Sequence, residues 1–286
     1  MTTDTARSFP SGPVTVAADE YPAVGPSKGV VLLLHGGGQT RHSWGAAARR
    51  FADADWTSFT VDARGHGDTS WAPEGDYTQE ALVGDLQAVV AAVGETPVLV
   101  GASMGGMTAL LAVGEGAVTA RGLVLVDIAP RVEPAGVARI AAFMRAKPEG
   151  FADLDEVADA VAAYNPHRPR PKNLEGLKKN VRLGEDGRWH WHWDPAFLRV
   201  TDDEPKRLIN TDRVFNAAAA VRVPTLIVRG KQSDILSEEG AREVVELIPG
   251  SRYVDVGGAG HMVAGDDNDV FGREVLQFLN ELAPRS

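Results

Sequence analysis

Short apolar runs recur along the chain, and a helix-length segment stands after nearly every one. Val30–Leu34 precedes Arg41–Ala54, Thr57–Val61 precedes Tyr77–Val93, and Val98–Val100 precedes Met104–Val113. Thr225–Val228 and Tyr253–Val256 repeat the pattern ahead of Glu238–Leu247 and Val270–Leu279. An uninterrupted apolar run has no polar face, so such strands are covered on both sides, as in a mostly parallel sheet with helices on both faces. Val14–Ala17 reads as a first edge strand, and Leu82, Leu86, Val89 and Val93 give the second helix its buried stripe. The alternation predicts an α/β fold.

The rhythm stops after Leu123–Val126 and resumes only at Thr225. Between them lie helical pieces near Val137–Ala146, Leu154–Tyr164 and Leu174–Val181, a proline-rich join over Pro166–Pro171, and the run Trp189-His190-Trp191-His192-Trp193. Residues 129–220 are therefore expected to form a helical cap inserted into a core of residues 1–128 and 221–286. A layer that only stabilises the core is the alternative. Parallel sheets bind ligands at the C-terminal ends of their strands, where such a cap would sit.

At 286 residues the chain is near the upper limit for one hydrophobic core. A net charge of −10 argues against a broad nucleic-acid or anionic-membrane surface, and the absence of cysteine removes thiolate chemistry and disulfides. No apolar run is long enough to span a bilayer, and Met1–Ala18 lacks the apolar stretch of a signal peptide, so a cytoplasmic location is expected. Neither composition nor pattern distinguishes a monomer from a homo-oligomer. A small-molecule substrate is the expected partner.

The sharpest local signal is Gly101-Ala-Ser-Met-Gly105, directly after the strand Val98–Val100 and at the start of a helix. A serine at so tight a turn projects out of both elements, and flanking glycines remove the side chains that would clash there. Ser103 is thus the expected nucleophile. A hydroxyl needs a base within hydrogen-bond reach, and His261, in a glycine-rich loop after the last strand, is selected by placement from seven histidines. The imidazole needs an acid. Asp234 follows the strand Thr225–Val228, and Asp127, directly after Leu123–Val126, is the alternative. Oxyanion donors are expected from the backbone amides of Gly37 and Met104, with Gly38 the weaker candidate. The glycine run lacks the lysine of a phosphate-binding loop, and no compact metal-ligand spacing appears, so neither a cofactor nor a metal is expected. Gly38, Trp44, Trp189, Trp191, Trp193 and Met262 are candidate pocket walls, although an aromatic core within the cap explains the cap's tryptophans equally well. Met107 is placed either at the pocket or within its own helix.

These pieces together resemble the α/β-hydrolase superfamily, in its capped serine hydrolase branch. The resemblance rests on His35-Gly-Gly37, Asp62-Ala-Arg-Gly-His-Gly67, Gly101-Ala-Ser-Met-Gly-Gly106, Arg229–Asp234 and Gly260-His261. It covers about residues 30 to 280. The order Ser103, Asp234, His261 is the order that the family implies. The family also implies structural duties for Asp62, Arg64 and His66, and a loop-anchoring role for His35. Its members include carboxylesterases, lactonases, C–C bond hydrolases and cofactor-free perhydrolases; branches with an aspartate nucleophile are disfavoured by Ser103. Hydrolysis of a small carboxylic ester or lactone through an acyl-serine is the expected reaction. C–C bond hydrolysis, perhydrolysis and a non-catalytic binding role are the alternatives.

Overall fold

The computed structural model describes residues 4–165, 169–199, 210–257 and 269–283. Its main sheet has eight strands: β1 (Thr5–Ser11), β2 (Val14–Tyr21), β3 (Val30–Leu34), β4 (Thr57–Val61), β5 (Val98–Ala102), β6 (Gly122–Val126), β9 (Thr225–Gly230) and β10 (Arg252–Val256). Their order across the sheet is β1-β2-β4-β3-β5-β6-β9-β10. The β1–β2 and β2–β4 pairs are antiparallel and all the others parallel. The ends of β3, β5, β6 and β9 therefore open onto one edge.

Successive side chains of a strand point to opposite faces, and the central strands bury both. Leu32 and Leu34 of β3 and Leu99 of β5 pack with α2 (Gln79–Val93), α3 (Met104–Gly114) and α8 (Glu238–Leu247). Val31 and Leu33, with Val98 and Val100, face the other way, toward α1 (Gly45–Asp53) and α9 (Asp269–Leu282). Each fully buried leucine or valine contributes roughly 1.5–3 kcal/mol, so these two layers hold the sheet rigid beneath its edge.

The insertion between β6 and β9 is mainly helical, with α4 (Pro134–Arg145), α5 (Leu154–Tyr164), the short α6 (Leu174–Leu177) and α7 (Thr211–Ala220). It also contains a strand pair unforeseen in the sequence, β7 (Val181–Leu183) against β8 (Trp189–Trp191). Phe151, Val157, Ala158, Leu177 and Val181 form a hydrophobic cluster of the cap's own. Helix α7 returns to the sheet layer, where Val214 and Ala217 join the α3 side of the core. Tyr77 donates its hydroxyl to Asp194, and the Asp194 amide bonds the Gly65 carbonyl at 2.9 Å, tying cap to core. No helix among the described residues is long and apolar enough to cross a membrane.

Candidate active site

Only Ser103 separates β5 from α3, and it takes φ 47° and ψ −115°, a conformation that side-chain-bearing residues rarely adopt. The turn is tight because its neighbours have no side chains. A Cβ on Gly101 would stand 2.5 Å from the Gly105 carbonyl oxygen, and one on Gly105 would stand 2.5 Å from that of Leu34. The Ser103 amide donates to Val126 O across to β6 (3.1 Å), and Gly105 donates to His35 O (3.1 Å), stitching the turn to both neighbouring strands.

Facing Ser103 is the glycine turn after β3; a Cβ on Gly36 would lie 3.3 Å from Ser103 Cβ. Two of the three glycine amides are committed. Gly36 N–H donates to Gln39 Oε1 (2.9 Å) and Gly38 N–H to His66 Nε2 (3.1 Å). The Gly37 amide, like that of Met104 at the start of α3, has no hydrogen-bond acceptor among the described residues. Both are available to a ligand beside the serine.

The acids differ in setting. Asp127 directly follows β6, at a left-handed φ of 52°, and is completely buried. Its carboxylate accepts from Gly230 N (3.2 Å) and Ser233 Oγ (2.5 Å). Ala102 of β5 pairs with Val126 of β6, so Ser103 and Asp127 are the next residues along two adjacent strands. Asp234, with a side chain 40% exposed, forms an ion pair at 2.7 Å with Arg139 of α4. It braces the cap at the surface. His261 and Met262 lie outside the described residues.

Two cavities meet at Gly37, Ser103 and Ile140. The first, about 270 Å³, reaches Phe143, Tyr164, Trp191 and Trp193 and is flanked by Gly38. Its lining includes Lys179 and His42 and, among the described residues, no carboxylate. The second, about 200 Å³, is apolar, with Met104, Met107, Ile128, Val132, Met144 and Ile235 along its walls. Trp191 and Trp193 stack with ring centroids 4.9 Å apart, and Trp193 Nε1 donates to Met144 O (3.3 Å).

Two expected walls lie elsewhere. Trp44 is fully buried beneath the sheet, its ring 5.9 Å from that of Phe271, because the turn after Thr40 directs it into the α1–α9 layer. Trp189 lines neither cavity; it pairs with Phe151 through the backbone and carries Lys178 over its ring.

The charged residues of the Asp62–Gly67 segment are scaffold. Asp62 is completely buried and accepts from the Arg41 amide (2.6 Å) and guanidinium (2.5 Å). Arg64 grips Asp85 through two bonds of 2.7 Å. His35 accepts from Ala63 N through Nε2 (2.9 Å) and donates from Nδ1 to Gly36 O (2.8 Å). Burial pushes the His35 pKa down and that of His66 to about 3, so both rings are neutral at ordinary pH. Sequence reasoning missed the arrival of His192 from the cap, whose Nδ1 accepts from Gly67 N at 2.8 Å.

Comparison with known proteins agrees with this architecture. The profile of the α/β hydrolase fold family matches residues 29–267. The chain is 27% identical over 247 residues to esterase Rv0045c of Mycobacterium tuberculosis, covering 82% of this chain and 78% of that one. It is 28% identical over 253 residues to N-formylmaleamate deformylase of Pseudomonas putida, covering 87% and 88%. The crystal structure of E-2-(acetamidomethylene)succinate hydrolase superimposes with a TM-score of 0.82 at 22% identity, over 97% of this chain and all of that one.

Proposed function

Because the chain belongs to the α/β-hydrolase fold family, we propose that its serine-hydrolase chemistry runs through an acyl-enzyme on Ser103 and acts on a compact carbonyl compound. The carrying observation is the strained Ser103 where the two cavities meet, with the Gly37 and Met104 amides nearby and without an acceptor among the described residues. His261 takes the hydroxyl proton as Ser103 Oγ attacks the carbonyl carbon, and the resulting oxyanion is received by the Gly37 and Met104 amides. Collapse expels the leaving group, which takes the proton from His261. A water then attacks the acyl-serine and releases the acid.

We assign the acid of this triad to Asp127 in preference to Asp234. An acid that stabilises an imidazolium works best when buried and fixed by hydrogen bonds. Asp127 meets both conditions, whereas Asp234 is half-exposed and paired with Arg139. Asp127→Asn should lower kcat on the order of 10⁴-fold, as expected when the acid's charge is lost with the geometry kept. Asp234→Asn should leave kcat within about threefold, since exposed ion pairs contribute little. The opposite pattern overturns the assignment.

For the leaving group we favour one stabilised by conjugation, an enolate or an amide-type nitrogen, over a simple alkoxide. A carbon leaving group departs from a tetrahedral intermediate only if its negative charge is delocalised, and a lobe lined by Lys179 and free of described carboxylates suits such a charge. The likeness to N-formylmaleamate deformylase supports this reading, which includes the C–C bond alternative. Hydrolysis of a carboxylic ester or lactone is the second reading, favoured by the likeness to an esterase. A panel of p-nitrophenyl esters, lactones, β-diketones and N-acyl enamides distinguishes them. Turnover confined to esters and lactones would sink the preferred leaving group, and an absence of Ser103 labelling by a fluorophosphonate would sink the acyl-serine itself.

A further inference from the structure

We propose that His66 and His192 form a clamp that positions the oxyanion turn and makes that position depend on the docking of the cap; this rests on the assignment of Gly37 as an oxyanion donor. Three successive glycines give the turn wide conformational freedom, yet a preorganised donor must be held before the reaction begins. The Gly37 N–H lies in the peptide unit between Gly36 and Gly37. The N–H groups on either side of it are both pinned, Gly36 to Gln39 Oε1 (2.9 Å) and Gly38 to His66 Nε2 (3.1 Å).

His66 serves as a fixed acceptor because its other nitrogen is also engaged. With Nε2 accepting, the proton resides on Nδ1 and is donated to Arg64 O (3.1 Å). The ring is walled in by His35 at 5.3 Å, Phe197 edge-on at 4.8 Å and His192 at 5.7 Å between centroids. Two of those walls, Phe197 and His192, belong to the inserted region, so withdrawal of the cap removes them together.

His192 stands just after β8. Its Nδ1 accepts from Gly67 N (2.8 Å), one residue beyond His66, which leaves its proton on Nε2. That Nε2 is buried and meets no acceptor in full hydrogen-bond geometry among the described residues, but the Gly38 backbone stands close enough to act on the ring. The cap thus reaches the glycine turn through one imidazole pressed against another.

Phosphonylation of Ser103 by a fluorophosphonate probe tests the clamp. Ser103 Oγ forms the bond to phosphorus, fluoride leaves, the hydroxyl proton passes to His261, and the phosphoryl oxygen occupies the oxyanion position. Replacing an acceptor that fixes such a donor should slow the reaction about 10- to 100-fold. His66→Leu should show that loss with an unchanged far-ultraviolet spectrum, and His66→Gln, whose Oε1 can take the place of Nε2, should recover to within about threefold of wild type. His192→Leu should slow labelling at least about fivefold, and the double variant should be no worse than His66→Leu by more than about twofold, as expected of groups acting as one unit. Wild-type labelling with an equal rate in folded His66→Leu overturns the clamp, as does failure of His66→Gln to recover. Multiplying losses in the double variant overturn the cap coupling. If wild type itself is not labelled, the acyl-serine reading fails instead. Should His66→Leu not fold, His192→Leu decides: it keeps every hydrogen bond within the glycine turn, and an unchanged rate overturns the coupling.

Discussion

Acidification from pH 7.5 to 5.5 should destabilise the protein, and His66 alone should account for about 1.4 kcal/mol of the loss. In the unfolded chain an imidazole takes up its proton near pH 6.5, whereas in the folded protein burial holds His66 neutral down to about pH 3. The unfolded state therefore binds more protons throughout that interval. The stability that depends on neutral His66 is fully present above pH 6.5 and drains away as pH falls toward 3. At pH 5.5, one unit below the unfolded pKa, the difference between one fully titratable and one suppressed site is about 1.4 kcal/mol. His35, His42 and His192 are also pushed below their ordinary pKa, chiefly by burial, and add to the loss in the same direction. Asp68, Asp76 and Glu115, whose pKa values are lowered, release their contributions only in the carboxylate range. Urea unfolding followed by tryptophan fluorescence at the two pH values measures the total. The share of His66 is the amount by which His66→Gln, which cannot titrate, reduces it. An equal acid loss in wild type and His66→Gln would show that His66 is protonated in the native state.

Three further perturbations have defined outcomes. Gly105→Ala places a methyl 2.5 Å from the Leu34 carbonyl, where no flexible side chain can yield, and should cost about 1–3 kcal/mol or more by thermal unfolding; an unchanged midpoint would mean that α3 can move away from β3 freely. Arg64→Met leaves Asp85 buried without its guanidinium and should destabilise by roughly 3–5 kcal/mol, much of it recovered when Asp85→Leu is added. Met107→Trp fills the apolar cavity and should shorten the range of chain lengths accepted, read from relative rates across a homologous acyl series; an unaltered profile would place the chain in the other cavity.

Much of the sheet was legible because its central strands are continuous apolar runs that nothing else in a helical protein resembles. The tight turn that carries Ser103 was legible for the same local reason: strand, serine and helix stand within a few residues of one another. What escaped is held by partners distant in sequence. β1 is largely exposed and contains Pro10, so it has no burial pattern of its own and exists through its register with β2. β7 and β8 have three residues each, and Arg182 and Leu183 face solvent. The tryptophans of 189–193 could be read as pocket walls or as cap core, because what divides them is tertiary: the strand ends at Trp191 and the chain turns Trp193 back onto it. Asp127 and Asp234 both follow strands of the sheet, so chain order does not rank them, and the proposal that favours Asp127 rests on burial, a property set by partners distant in sequence.

The cap's separate hydrophobic cluster bears on how such proteins diversify. Phe151, Val157, Ala158, Leu177 and Val181 pack with one another, apart from the two layers that sandwich the sheet. Changes within that cluster reshape the aromatic wall formed by Trp191 and Trp193 and leave the residues that pack Ser103 into its turn untouched. Selection for a new substrate can then act on one module while the nucleophile is inherited unaltered. Transplanting residues 134–199 between relatives of this architecture is accordingly the exchange most apt to carry specificity with it, because the histidine seated on Gly67 travels within that segment.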